Sequence, residues 1–423
     1  MNPKSVYLYK RSSLYHFSMK SKEGWINLSL LNLCIVAALG LLIRSKIIFD
    51  MPFIDYNRLV DTHGHFALMG WATLALLTLM IYELPGELYH KKIYHFLLSA
   101  IFLCSWATLL TSPFESCKSI SEYISFIYIV VTYIFSWVFI RNTLKTNASK
   151  TVKLLAISSV LSLVLSSAGI LMSAYLFAAK SLNAILYRDA LFGYLHLQYN
   201  GFFTLAVFAL IYNKISLNTT HHSRSSLHWF AVMLCLSVIP SMFLTFLWHQ
   251  TNLLLHILSA VGFVLLVLTL FFFIISAPLL LKEFRMIKPA IRYMAVLSIS
   301  AFAVKTFLQS LTFINSVNVL VFGNRPMIMG FLHMVFLGFV TLFLITYFAQ
   351  KELLLTQHKL SRFAFALFTL AIVLNELFLL LQGLGNILIA GSPLFAWYLW
   401  IAAILLLSGA LFIVIARIKS SYR

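Results

Sequence analysis

Long apolar runs follow one another along nearly the whole chain, and short polar segments separate them. Most runs reach about 20 residues, the length that a helix needs to cross a hydrocarbon layer of ~30 Å. The alternating polarity over ~10 residues that is typical of transmembrane barrels does not occur. The pattern predicts twelve transmembrane helices, which we number as spans 1 to 12: about 27–49, 62–82, 93–112, 121–140, 153–177, 186–213, 226–247, 252–281, 291–314, 326–350, 361–385 and 391–416.

The composition favours the same interpretation. Of the 423 residues, 61% are hydrophobic and only 10% are charged, whereas soluble domains average about 25% charged residues. Such a chain cannot cover itself with polar surface, so we expect lipid to surround most of it. Lipid cannot form hydrogen bonds with backbone N–H and C=O groups, and a helix pairs these groups within itself. The predicted fold class is therefore an all-α membrane protein.

The net charge of +19 is also found in nucleic-acid-binding proteins, but here the basic residues lie in short loops. Of the 31 Lys and Arg residues, 23 fall in the two terminal segments and the even-numbered connections, and seven fall in the odd-numbered ones. Basic loops are retained in the cytoplasm. The asymmetry predicts a bacterial-type inner membrane protein with both termini in the cytoplasm. We expect lipid to surround it and no nucleic acid to bind to it. The basic N-terminal segment has no small-residue cleavage site, so we expect an uncleaved first span.

Six histidines lie near the predicted outer ends of spans 2, 6, 7, 8 and 10. Ionisable side chains at membrane depth are candidates for function, although many serve as helix-to-helix hydrogen-bonding groups. The four cysteines form no CxxC pair, and we give them no role. The six histidines are His63, His65, His196, His249, His256 and His333.

Three of these histidines begin the same local phrase: His, four residues, Gly, aromatic. His65, His196 and His333 are 131 and 137 residues apart, so each copy comes four helices after the last. A looser fourth copy begins at His256 in span 8. Similarity at a fixed period indicates a repeated architecture. We therefore expect a single membrane domain of three four-helix units in a pseudo-threefold arrangement, at about 27–140, 153–281 and 291–416.

The phrase has a mechanical interpretation. An imidazole in the outer third of a helix can face a large planar cofactor, and glycine lets a ring or a neighbouring helix approach closely. The alternative is ordinary helix packing by a Gly-aromatic pair. His63 and His65 are two residues apart and point to roughly opposite faces of a helix, so they cannot both bind one iron.

Three four-helix units with histidines in spans 2, 6 and 10 resemble the catalytic subunit I of haem-copper oxidases, such as cytochrome c oxidase, and of nitric oxide reductases. Residues 62–70 are similar to the family's His-x-His-x4-Gly phrase. In that family a low-spin haem lies between histidines of helices two and ten. The resemblance implies that His65 and His333 bind a haem b iron, with His63 as the alternative to His65.

The chain departs from the family at the oxygen-reducing site. Phe331 stands where the family has the ligand of the active-site haem, and span 7 lacks a His-His pair. The resemblance therefore implies one retained haem and a degraded active site. It leaves His196, His249 and His256 as candidates for a second metal, with copper uncertain. Haem-containing membrane proteins of the nitric-oxide response, also with about twelve spans, are a weaker resemblance.

Further polar residues fit this interpretation. Arg58, Arg188 and Arg325 precede spans 2, 6 and 10, where the resemblance implies haem propionates, although interfacial anchoring is an equal alternative. Lys305 in span 9 and Glu376 in span 11 would stay charged most cheaply as a pair.

The expected function is electron transfer or oxygen and nitric oxide chemistry at a haem, which would make the protein a respiratory oxidoreductase. Electrons would come from quinol or a cytochrome partner, because the chain has no CxxCH haem site. The alternative is a twelve-helix secondary transporter without haem, a class in which internal repeats are also common.

Overall fold

Twelve long helices make up most of the fold of the computed structural model, which describes residues 21–84, 86, 88–215, 221–249, 252–388 and 391–421. Within those ranges the chain forms helices and no strands. The twelve helices are long and apolar enough to cross a membrane, which confirms the predicted fold class. Their bounds are Lys22–Ile48, Tyr56–Glu83, Lys92–Thr111, Ser119–Leu144, Lys150–Ala178, Ala184–Ile215, Ser225–Phe246, Leu253–Arg285, Pro289–Leu311, Arg325–Gln350, Lys359–Ile387 and Leu394–Lys419.

The predicted spans agree with these helices, but several helices begin earlier than their apolar runs. Span 2 begins at Tyr56 rather than near 62 because the Asp55 side chain accepts a 2.8 Å hydrogen bond from the backbone N–H of Arg58. Such a cap stabilises a polar first turn. The short helix Asn315–Phe322, between spans 9 and 10, was not predicted. The basic segment before residue 21 lies outside the described residues.

Spans 2, 6 and 10 lie at the centre of the bundle. Consecutive spans pack against each other, and span 12 packs against span 1. In spans 2 and 6, 83% and 89% of the most apolar stretch is buried, compared with 28–50% in the other spans. Span 10 is 50% buried by this measure, but its residues 338–349 are all buried except Tyr347. Span 10 contacts both, through the ring of Phe339 against Phe208 and through a hydrogen bond from Trp71. Each proposed unit thus contributes one central span, while the grouping into three units stays a prediction.

The repeated phrase coincides with a change of helical winding. Spans 2, 6 and 10 turn from α to π geometry over Ala67–Thr73, Leu197–Phe203 and Met334–Thr341. The described part of the chain has no other π segment, and the looser copy in span 8 lies in a continuous α-helix. Single-turn π segments inside α-helices are frequent at functional sites.

Side chains satisfy backbone carbonyls within the three π segments. Asn32 of span 1 donates to the carbonyl of Gly70 at 2.6 Å, and Ser298 of span 9 donates to that of Phe339 at 2.7 Å. In span 6, Thr204 donates to its own helix at Tyr199. These bonds stabilise the π segments, because a buried carbonyl inside a membrane protein has no water with which to form a hydrogen bond.

The glycines of the phrase give room to different neighbours. A Cβ on Gly201 would lie 2.4 Å from Cβ of Ser162 in span 5, so a neighbouring helix occupies that space. A Cβ on Gly70 would lie 2.9 Å from the Phe66 ring. The Gly201 contact agrees with the expectation that glycine admits a neighbouring helix, whereas the ring at Gly70 belongs to its own helix.

Candidate functional site

Two histidines of the central spans come together near one end of the bundle. His63 of span 2 and His333 of span 10 are close enough to interact electrostatically. They lie seven and eight residues from the starts of their spans, which is ~10–12 Å along each helix axis. His196 lies twelve residues, or ~18 Å, from the start of span 6.

Backbone carbonyls fix the tautomer of both imidazoles. Nδ1 of His63 donates to the carbonyl oxygen of Val36 in span 1 at 3.1 Å, and Nδ1 of His333 donates to that of Met329 at 2.7 Å. A carbonyl only accepts, so each Nδ1 carries a hydrogen, and a neutral ring then has its lone pair on Nε2. Neither Nε2 has a hydrogen-bond partner in the described ranges. The pair therefore offers two unprotonated nitrogens.

Span 1 also holds the His63 ring in place by close packing. A Cβ on Gly40 would lie 3.3 Å from Cε1 of His63. Gly40 lies one helical turn after Val36, whose carbonyl accepts the hydrogen bond. Span 1 thus fixes this ring by shape and by a hydrogen bond at once.

An arginine that the sequence analysis did not single out lies beside this pair. Arg44 of span 1 interacts electrostatically with His63, His333, Tyr56 and Glu376. The sequence suggested only a basic residue near a connection, because nothing local indicates which spans surround it. Arg44 brings a positive charge to the histidine pair.

His65, the predicted partner of His333, has a different neighbourhood. Its electrostatic neighbour is Asp61, one turn earlier on the same helix. The structure brings His63 to His333, which is the arrangement that the sequence kept as the alternative. Ligation by either residue stays a prediction.

The three predicted arginines have partners of their own. Arg325 donates to the Tyr56 hydroxyl at 3.4 Å and lies over its ring, close to Arg44. Arg58 forms an ion pair with Glu115. Arg188 packs 4.1 Å from the centroid of the Trp248 ring and donates to the carbonyl of Phe322. Of the three, only Arg325 lies close to Arg44, which interacts with the histidine pair.

His196 belongs to a buried chain of hydrogen bonds. Its Nε2 donates to the Val238 carbonyl at 2.8 Å, and its Nδ1 accepts from the Asn200 amide at 3.2 Å. The Asn200 carbonyl oxygen accepts from the ammonium of Lys305. Both ring nitrogens are thus engaged within the protein, so binding a metal would break one of these bonds.

The two remaining candidate histidines lie elsewhere. His249 pairs with Asp189, at 2.8 and 2.9 Å to its two oxygens. His256 is partly buried at the start of span 8. The structure brings neither of them together with His196, which leaves the second metal site a prediction.

The expected pairing of Lys305 with Glu376 is wrong. Lys305 binds Asn200 of span 6, and the carboxylate of Glu376 accepts from the neighbouring Asn375 amide at 3.1 Å. Spans 9 and 11 do pack against each other, but the side chain of Lys305 is directed toward span 6. Which face of span 9 meets span 6 could not be predicted from the sequence.

No family model and no curated protein matches the sequence. Among the described residues, no three His, Cys, Asp or Glu side chains are grouped as a metal site would need. A haem iron needs only two axial side chains, so this does not bear on the histidine pair.

Proposed function

We propose that this protein is a multi-pass membrane haem protein in which His63 and His333 would hold a haem b through their Nε2 atoms. The observation that carries the proposal is that both rings have the same tautomer, with the hydrogen on Nδ1. Each donates its Nδ1 hydrogen to a backbone carbonyl, and each keeps Nε2 free. Histidines that bind metals almost always donate their other ring N–H in this way.

The surroundings of the pair fit such a group. Arg44 supplies positive charge beside the two rings, and Arg325 lies close to Arg44. Guanidinium groups suit the carboxylates of haem propionates. Span 1 holds His63 through Val36 and Gly40. Two rings of the same tautomer on neighbouring spans would present their free Nε2 atoms to one iron.

When bound, haem would supply a one-electron redox centre. The residues of the chain would orient both imidazoles, keep their tautomers and shield the pair from water. Because both histidines would hold the group, we expect it to serve electron transfer and not the binding of a gas. His196 has both ring nitrogens engaged, so the proposal includes no copper.

The excess of basic residues in the terminal segments and even-numbered connections supports an inner-membrane location with both termini in the cytoplasm. The histidine pair would then lie toward the outer face. Reporter fusions at the C-terminus and in the loop before span 2 should report the cytoplasm and the outer side, respectively. The opposite result would reverse this orientation.

Spectroscopy of the purified protein tests the haem proposal. The protein is produced with ample haem precursor, and its haem content and absorption spectrum are measured. We expect about one haem per chain and the narrow α band of a reduced six-coordinate haem. A protein without a Soret band under these conditions would favour the transporter instead.

A further inference from the structure

A large cavity lies between spans 6, 7, 9, 10 and 11, and neither member of the histidine pair is in its wall. Its volume is about 450 Å³, within the range of ~300–1,000 Å³ that is typical of small-molecule sites. Most of its walls are Leu, Val, Ile, Met and Phe side chains, including Phe331. The described polar side chains in the walls include His196, Asn200, Gln309 and Glu376.

The cavity borders the surface that faces lipid. Val304 and Leu308 of span 9 line it and are 47% and 42% exposed. Leu377 and Leu380 of span 11 line it too and are 44% and 49% exposed. Because these four side chains belong to both surfaces, we expect a ligand to enter between spans 9 and 11 from the bilayer. The ligand must then be soluble in lipid.

Gln309 is the polar group that most needs such a ligand. It lines the cavity and is only 5% exposed, yet neither its carboxamide nitrogen nor its oxygen has a hydrogen-bond partner. An unpaired buried amide costs about 1–3 kcal/mol. An acyl chain in the cavity would leave that cost in place, whereas a ligand with oxygen atoms would remove it.

A second polar wall is formed by His196 and Asn200. Asn200 is 7% exposed and joins His196 to the buried Lys305. The cavity therefore presents an amide on span 9 and a hydrogen-bonded polar chain on span 6, with apolar surface between them. This arrangement suits a flat apolar ring that carries oxygen atoms on its edges.

We propose that this cavity binds a lipid-soluble quinone or quinol. A carboxamide both donates and accepts, so Gln309 can donate to the carbonyl of a quinone and accept from the hydroxyl of a quinol. The proposal concerns binding alone and does not depend on haem.

The test uses a decyl-substituted benzoquinone as the probe and decylbenzene, which has the same tail without the oxygens, as its control. Binding to the purified protein in lipid nanodiscs is followed by quenching of tryptophan fluorescence for the quinone, and by competition with it for decylbenzene. We expect saturable binding of the quinone at about one per chain and much weaker binding of decylbenzene.

Two variants locate the site. Gln309→Leu should weaken quinone binding roughly tenfold, since it removes the hydrogen bond and leaves a ligand oxygen unpaired. Gln198→Leu is the matched control, because Gln198 is equally buried but donates to Ser166 and is not part of the cavity wall. Leu377→Trp, at the proposed entrance, should also reduce binding.

The stability of Gln309→Leu is measured alongside, and we expect it to be unchanged or higher because the amide has no partner to lose. Equal binding of decylbenzene, together with unchanged affinity in Gln309→Leu, would make the cavity a site for acyl chains and overturn the proposal. Absence of saturable quinone binding would overturn it as well.

Discussion

The indole of Trp71 in span 2 donates a 2.9 Å hydrogen bond from Nε1 to the hydroxyl of Thr341 in span 10. Both residues lie in π segments, each of which follows one member of the histidine pair. The bond is fully buried. It links the two helices whose relative rotation brings His63 to His333.

A double-mutant cycle measures this link. Trp71→Phe removes the donor, and Thr341→Val removes the acceptor with little change of volume. We expect a coupling energy of roughly 0.6 kcal/mol, the average for hydrogen bonds between membrane helices. Unfolding by SDS in mixed micelles gives the four free energies. Additive effects of the two single variants would show that the bond does not stabilise the contact.

The register of span 2 between His63 and Trp71 sets the direction of the histidine. Deleting Gly64, in the α-helical part of the span, should turn His63 by about 100° relative to Trp71, because each α-helical residue advances the helix by that angle. We expect the low-spin spectrum to disappear. Deleting Asn147, in the connection between spans 4 and 5, is the control and should leave the spectrum intact. A low-spin spectrum in the Gly64 deletion would show that this register does not position the ligand.

Gly201 and Gly338 occupy the same position of the repeated phrase but have different amounts of space around them, so the two can be compared directly. Gly201→Ala would place its Cβ 2.4 Å from Ser162, whereas Gly338→Ala would place its Cβ 3.4 Å from Ala301. We expect Gly201→Ala to lower the free energy of unfolding by roughly 1–3 kcal/mol, as overpacking does. Gly338→Ala should have little effect. Equal effects in the two variants would contradict this account of the packing.

Much of the fold could be predicted because a span needs only length and apolar composition. The repeated phrase also marked the three helices that change winding, but a change to π geometry cannot be inferred from side-chain periodicity. The choice between His63 and His65 depends on the rotation of span 2 against span 10, which contacts such as that of Trp71 with Thr341 determine. Arg44 was missed for the same reason, since its neighbours come from spans 2, 10 and 11.

The measurement that tests the central claim most directly compares single histidine variants by electron paramagnetic resonance and absorption spectroscopy. His63→Ala and His333→Ala should each lose the six-coordinate low-spin signal, because each removes one axial nitrogen. His65→Ala should keep it, since the electrostatic neighbour of His65 is Asp61, whereas His333 interacts with His63. Loss of the signal in His65→Ala, with the signal retained in His63→Ala, would contradict the account.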